Sequence, residues 1–517
     1  MVTREAARVI DPQGHDSCSP GIADTGWRPI NGCGHAAASI PGTNRPATDH
    51  GNRRLLIGVA PKNQRQKLGG LSINESTAAD DQARPSFELE LTDPTSAGEV
   101  LGRRDGEVVF VPYGLPGERV RVQVERAKRD YATAQIVDVM RASAERIDPR
   151  CQYFGDCGGC QWQHADYSMQ LTMKRQVVVD QLRRLGGFGE AEAWVRPCIG
   201  MVDPWGYRNH LRFSLGRKYG DVGYTYRHSH RLLRVDDCPI AHPAVNDVLQ
   251  VVQRRCAGLA AHQITVRYGC NTGSLLINPK LPMVPELESG QTKLEEEVLG
   301  RRFVVSAASF FQVNTRREQR LLPESLRSGT SRWLGDHPLP SPPPSEGEGT
   351  EFDGYFSMAD LLAMLVLESM APQPNDVVLD AYCGVGTFAA LLAPKVKLVI
   401  GIEESNAAVA DARVNCADLV NVEFLVGRTE RVLPELKAGT VQAVVLDPSR
   451  LGCAPPMLQG LLDLHPERIV YVSCDAATLA RDLKALVAGG YSIEQVEPLD
   501  MFPQTAHIET VTKLLSN

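Results

Sequence analysis

Apolar and polar positions fall into distinct regimes along the chain. From Phe87 to about Met140, short runs alternate apolar with polar residues, as in FELELTD, EVVFVPYGLPGERVRVQVERAKRD and YATAQIVDVM. Pro112, Gly114, Pro116 and Gly117 punctuate them. Period-two alternation broken by turn residues predicts about five short strands of a small OB-like β-barrel. From about residue 357 the period changes. LLAMLVLESM, FAALLAP, AVADARVNCADL and LARDLKALVAGG have helical spacing, and DVVLDAY, LVIGIEES, VEFLVG, AVVLDPSR and RIVYVSC between them are near-continuous apolar runs. Strands buried on both faces and alternating with helices predict an α/β domain with a doubly wound, Rossmann-like parallel sheet. The stretch 146–325 mixes the two patterns and predicts a central α+β domain.

Two segments lack either pattern. Residues 1–84 mix Gly, Pro, Asn, Ser and Thr with few periodic apolar runs and read as a disordered N-terminal extension. Within 326–356, five prolines between 338 and 344 precede Glu-Gly-Glu-Gly, the composition of a flexible insertion. The expected organisation is therefore extension (1–84), barrel (85–145), central domain (146–325), insertion (326–356) and α/β domain (357–517).

Composition narrows the class. The 517 residues carry 55 Lys+Arg against 62 Asp+Glu, a net charge of −7. That balance excludes a histone-like coat for nucleic acid but leaves room for a local basic groove. No run approaches the ~18 apolar residues of a membrane span, and MVTREAARVIDPQG has no apolar signal core, so a cytoplasmic protein without membrane contact is expected. Thirteen cysteines, an odd number, argue against a full disulfide set and for thiolate chemistry or metal ligation in a reducing compartment.

Several motifs carry that chemistry. In DVVLDAYCGVGTFAALL an apolar strand runs into Gly384 and Gly386 before a helix opens, so backbone N–H groups can meet a ligand closely. Glu403, ending the next strand, suits paired ribose hydroxyls. This pattern alone fits a nicotinamide, a flavin or an S-adenosylmethionine site. Asp447 and Pro448 end the strand AVVLDPSR at the edge where open α/β sheets bind ligands, and Arg450 beside them suits a phosphate or a surface acid. Cys474 stands where RIVYVSC meets a helix, the place for a nucleophilic thiol. His507 and Glu509 in PQTAHIETVTKL are both candidate general bases. Cys151, Cys157 and Cys160 lie within ten residues and read as metal ligands, with Cys238 as the fourth and Cys198 as runner-up; zinc and an iron–sulfur cluster both fit that spacing. Finally, Trp205 to Val235 holds seven Lys/Arg against Asp221 alone, interleaved with Tyr207, Phe213, Tyr219, Tyr224 and Tyr226, a mixture suited to RNA.

These residues together resemble the bacterial RNA 5-methyluridine (uracil-C5) methyltransferases over roughly Phe87 to the end of the chain. The barrel is similar to that family's TRAM domain, CQYFGDCGGCQWQH with Cys238 to its four-cysteine site, and YRNHLRF, VGYTYRHSHRLLRVDDCPI and SFFQVN to its central domain. The resemblance implies a class I methyltransferase fold using S-adenosyl-L-methionine, bound by Gln312, Tyr382, Glu403 and Asp447. It implies Cys474 as nucleophile, Glu509 as base and a [4Fe-4S] cluster on Cys151, Cys157, Cys160 and Cys238, with zinc as the alternative. Barrel and cysteine site together resemble the enzymes acting on 23S ribosomal RNA more than those acting on transfer RNA, which implies ribosomal RNA ahead of transfer RNA as partner, and nothing calls for an obligate protein partner. Two departures stand out: Ser449 replaces the second proline of Asp-Pro-Pro-Arg, and Asp475-Ala476 replaces Asn-Pro after Cys474. The lost prolines should loosen their loops, and Asp475 should raise the neighbouring thiol's pKa. A nicotinamide or flavin oxidoreductase and a non-catalytic RNA-binding protein are the rival readings.

Overall fold

A computed structural model of the chain describes residues 86–318 and 355–517. The expected extension at 1–84 and nearly all of the insertion at 326–356 lie outside the described residues.

The alternating region forms a closed barrel. Strands β1 (Ser86–Pro94), β2 (Glu99–Arg104), β3 (Glu107–Pro112), β4 (Arg119–Ala127) and β5 (Tyr131–Arg141) close in the order β1-β2-β3-β5-β4. One set of alternate positions, among them Leu89, Leu91, Val100, Val109, Val111, Val120 and Val122, fills the interior. Gly102 is required in β2, because a Cβ there would collide with the Glu90 carbonyl of β1. The barrel is fastened to the chain that follows by Glu118, a wholly buried carboxylate between β3 and β4. It accepts from Leu115 N (2.9 Å), Ser143 N (3.2 Å), Arg146 Nε (2.6 Å) and Arg146 Nη2 (2.7 Å). Glu118→Gln keeps the shape but removes the charge opposite Arg146. It should lower stability by about 2 kcal/mol, read as a fall in the denaturant midpoint.

After the cysteine-bearing segment, α1 (Tyr167–Gln181) starts at Asp166, whose side chain accepts from Ser168 N. The central domain holds β6 (His210–Leu215), β7 (Val222–Thr225), β8 (Leu232–Arg234), α2 (Pro243–Val252), β9 (Gln263–Tyr268) and β10 (Leu275–Asn278). Its strands form an antiparallel sheet in the order β10-β9-β6-β7-β8, and β11 (Lys293–Val298) pairs with β12 (Arg301–Ser306) as a ribbon. The α+β expectation holds.

The α/β domain opens with α3 (Met358–Met370), whose Ser357–Asp360 capping box starts the helix. The sheet strands are β13 (Val377–Ala381), β14 (Leu398–Glu403), β15 (Val422–Val426), β16 (Ala443–Leu446), β17 (Arg468–Ser473), β18 (Tyr491–Leu499) and β19 (Glu509–Ser516), in the order β15-β14-β13-β16-β17-β19-β18. Helices α4 (Thr387–Leu392), α5 (Asn406–Asn415), α6 (Pro455–Leu464) and α7 (Ala476–Ala488) connect them. The first five strands are parallel, as the apolar runs predict. The last strand, β19, runs antiparallel to both β17 and β18, so the sheet is mixed. Strand order reverses between β13 and β16, and the crevice above that switch point is where open α/β sheets bind ligands.

Candidate active site

The cofactor side is built from strand ends. Beyond β13, Tyr382, Gly384 and Gly386 take left-handed backbone angles (φ 66°, 55° and 81°), turning the chain into α4. The space above Gly384 is open, since a Cβ added there would meet no atom within 4 Å. Glu403, at the end of β14, is held by that loop: its carboxylate accepts from Gly384 N (3.1 Å) and Ser405 N (2.8 Å). Below, Asp380 accepts from Ala389 N (2.8 Å) with one oxygen, while the other has no hydrogen-bond partner. Burial first, then Asp447 and Glu403, push its carboxyl up to about 8. Asp380 is a buried charged neighbour of the site that the sequence pattern hides, because it sits inside an apolar strand. Gln312 arrives on the loop after β12, where Ser306 and Ser309 hydroxyls donate to Asp411 (2.8 and 2.9 Å) and Asn314 Nδ2 donates to Met501 O (3.1 Å).

The reacting side rests on one rung of the sheet. Ser473 of β17 is paired with Thr510 of β19, and Thr510 Oγ1 donates to Ser473 O (3.1 Å). Cys474 follows the first and Glu509 precedes the second, so both emerge at the same edge. Asp447 follows β16, the neighbouring parallel strand. A cavity of ≈ 820 Å³ is lined by Gln312, Tyr382, Glu403, Asp447, Cys474 and Glu509 together. His507, the other candidate base, is not among its lining residues. Its carbonyl accepts from Lys174 Nζ (2.6 Å), and its ring stands between Phe502 and Arg450.

Burial dominates the site's electrostatics. It pushes Asp447 up to about 7, against a hydrogen bond from Gln312. Glu509 is raised well above the usual carboxylate range by burial and then by Asp447, with Arg450 opposing. The Cys474 thiol is pushed up to about 11 by burial, then by Glu509 and Asp447, again against Arg450. Asp475 is not among the leading causes: its carboxylate caps α7, accepting from Ala477 N (3.1 Å) and Thr478 N (2.9 Å). Ser449 likewise keeps its turn closed, since Gly452 N donates to its carbonyl (2.8 Å). Chemistry needing a thiolate and a free carboxylate here should speed up as pH rises from about 6 to about 9. A flat rate profile across that range would contradict this picture.

The four cysteines of the ligand pattern meet elsewhere. Cys151, Cys157, Cys160 and Cys238 line one cavity of ≈ 360 Å³ with apolar neighbours such as Tyr153, Phe154 and Ile240. None of the four is in a disulfide, and burial raises each one's pKa, that of Cys238 to about 11. Cys238 is set by Asn246, which accepts from its N–H and donates to its carbonyl (both 3.0 Å). Cys198 is not in that cavity; its charged neighbours are Asp500, Lys174 and Glu497. Among the described residues no three His, Cys, Asp or Glu side chains are grouped closely enough to hold a single metal ion. A tetrahedral zinc site would bring sulfurs to about 3.8 Å from one another.

The basic, aromatic stretch is only partly a surface. Tyr207 and Phe213 are wholly buried in the central core, which corrects their reading as stacking platforms: the alternation that makes β6 a strand turns Phe213 inward. Tyr219 remains exposed at 64%, and guanidinium groups cover Tyr113 (Arg227, 4.8 Å), Tyr226 (Arg231, 5.5 Å) and Phe502 (Arg208, 5.8 Å). Two exposed apolar side chains, Phe310 at 69% and Leu451 at 80%, line the large cavity.

A glycine loop, an acidic strand end and this strand order define a class I methyltransferase, here joined to an OB-like barrel. Residues 86–137 match the model of the TRAM domain, and residues 361–516 match that of tRNA (uracil-5-)-methyltransferase. An uncharacterized RNA methyltransferase of Halalkalibacterium halodurans is 32% identical over 483 residues, covering 83% of this chain and 96% of that protein. One of Gloeobacter violaceus is 34% identical over 448 residues, covering 82% and 95%. The chain therefore belongs to the RNA uracil-C5 methyltransferase family and is an S-adenosyl-L-methionine-dependent enzyme acting on RNA. The crystal structure of Pyrococcus abyssi tRNA (uracil-54, C5)-methyltransferase in complex with S-adenosyl-L-homocysteine shares the fold (TM-score 0.60, 21% identity, 83% of this chain and all of that one). Among the described residues no helix is long and apolar enough to cross a membrane.

Proposed function

We propose that the enzyme methylates C5 of a uridine in 23S ribosomal RNA through a covalent bond between Cys474 and C6. The observation that carries this reading is the convergence of Gln312, Tyr382, Glu403, Asp447, Cys474 and Glu509 on one cavity. The open loop above Gly384 and the anchored carboxylate of Glu403 fit S-adenosyl-L-methionine, which supplies an electrophilic methyl group when bound. Glu403 takes the ribose hydroxyls, and Gln312, Tyr382 and Asp447 complete the cofactor's surroundings.

Uracil C5 is a weak nucleophile, and Cys474 makes it a strong one. The thiolate forms an S–C6 bond and the C5=C6 pair moves into an enolate, leaving C5 electron-rich. Once C5 carries the methyl group, Glu509 takes the C5 proton. The released C–H pair restores C5=C6, and the S–C6 pair returns to Cys474. A stacked uridine exposes neither carbon, so the base must leave its helix or loop stack. Phe310 and Leu451, exposed at the cavity, offer apolar surface to the bases left behind.

RNA carrying 5-fluorouridine tests the covalent step, because fluorine at C5 cannot leave as a proton and the adduct persists. A band resistant to denaturant, dependent on S-adenosyl-L-methionine, is the expected result. Its absence with an RNA that is otherwise methylated would overturn the covalent route. Comparing 23S fragments with tRNA transcripts as methyl acceptors tests the substrate, and a preference for tRNA would reverse that assignment.

Cys151, Cys157, Cys160 and Cys238 are the ligands for a [4Fe-4S] cluster in this reading. What supports this reading is that the four cysteines, the last of them distant in sequence, line one shared cavity. Protein purified without oxygen should contain about four irons per chain and absorb broadly in the visible. Stoichiometric zinc without iron would refute this.

A further inference from the structure

The turn 500–508, which joins β18 to β19 and delivers Glu509, is gripped from outside along its length. Tyr207 Oη donates to Pro503 O (2.9 Å), Gln161 N and Trp162 N donate to Gln504 O (both 3.1 Å), and Asn314 Nδ2 donates to Met501 O (3.1 Å). At the centre of this grip is Lys174 of α1, whose side chain is 0% exposed. Its Nζ donates to Asp500 Oδ1 (2.6 Å), Phe502 O (3.2 Å) and His507 O (2.6 Å). An ammonium has three N–H donors, so every one is engaged.

The placement of those partners is informative. Asp500 directly follows Leu499, the residue paired with Glu509 across β18 and β19, and His507 lies just ahead of Glu509 on the other arm. One buried cation thus joins both arms of the turn immediately before the pair that contains the carboxylate. A buried ion pair is costly compared with an apolar filling of the same volume, so packing alone does not account for it. Its specific product is geometry: the ends of the turn cannot separate or slide while the ammonium holds both.

We propose that Lys174 is a positioning residue for Glu509, its ammonium fixing the 500–508 turn so that the carboxylate meets the C5 proton. The proposal rests on the reading of Glu509 as the base. Attack by Cys474 and methylation of C5 do not use Glu509, so both survive a misplaced turn. Proton removal does not. The S–C6 bond then persists, because no electron pair is released at C5 to expel the thiolate.

The test compares Lys174→Met, Lys174→Arg and Glu509→Gln in the full-length enzyme with unmodified RNA and S-adenosyl-L-methionine. Lys174→Met should lower kcat by about a hundredfold, the scale of a small misplacement of a reacting group, and leave KM for S-adenosyl-L-methionine unchanged. It should accumulate a denaturant-resistant RNA–protein adduct, as Glu509→Gln does, and Lys174→Arg should recover part of the turnover. If Lys174→Met fails to fold, Lys174→Met combined with Asp500→Asn leaves no buried charge unpaired and is held to the same outcomes. Folded enzyme that loses turnover without accumulating adduct, or that keeps its turnover, overturns the positioning role. Adduct with Glu509→Gln but not with the Lys174 variants rejects this proposal alone. No adduct with Glu509→Gln rejects the assignment of the base, and this proposal with it.

Discussion

Cys474→Ala is expected to reduce methyl transfer by at least about 10⁴-fold and to remove every trace of covalent RNA–protein complex. In the proposed route the thiolate supplies the electron pair that activates C5; Asp447 and Glu509 are carboxylates, weaker nucleophiles toward an alkene carbon, and the two other thiols on the cavity wall, Cys383 and Cys453, are buried where Cys474 is partly exposed. Binding should survive, because Cys474 is one contributor to a wall of ≈ 820 Å³ cavity built mostly from other strands. Tritium release from C5 of labelled uridine, with filter binding of the same RNA, separates the two effects. Methylation persisting in the alanine variant would remove Cys474 from the mechanism.

Glu509→Gln should cut turnover by about 10²- to 10⁴-fold and behave in the opposite way toward the adduct. The amide cannot take the C5 proton, so attack and methylation proceed and elimination stalls. The electrostatics predict a second effect. Glu509 is the first charged neighbour raising the Cys474 thiol, so wherever the wild-type carboxyl is ionised the glutamine variant should hold a more acidic thiol and form adduct more readily. Adduct yield against pH, followed on denaturing gels, checks both. A variant that neither turns over nor traps RNA would point to a different base.

Much of this site can be read along the chain because its groups sit at strand ends. Gly384 and Gly386, Glu403, Asp447 and Cys474 each follow an apolar run, and parallel strands necessarily present those ends on one edge. Glu509 needs more, since its strand runs the other way and shares the edge by its beginning. β18 is hidden for a related reason: YSIEQVEPL carries a bulge between Ile493 and Gln495, which breaks the alternation a strand should show. Lys174 and Asp500 are 326 positions apart, and a lysine within LTMKRQVV reads as a solvated charge until the tertiary structure closes over it. The same limit affects the aromatic residues from Tyr207 to Tyr226: composition suggests a platform for bases, whereas tertiary packing, and for Phe213 the pleat of β6, decides which rings reach solvent. The cysteines are an intermediate case, with three neighbours fixed by local spacing and the fourth brought in from 78 residues beyond Cys160 (238 − 160) by the central sheet.

The position of β19 between β17 and β18 bears on how the enzyme is made. Translation proceeds past Cys474 and through β18 before it reaches Glu509. The slot beside Ser473 is filled only when Thr510 arrives, and Glu509 arrives with it. On the proposed roles, Cys474 and Glu509 are thus brought to one edge by the pairing of the same two strands.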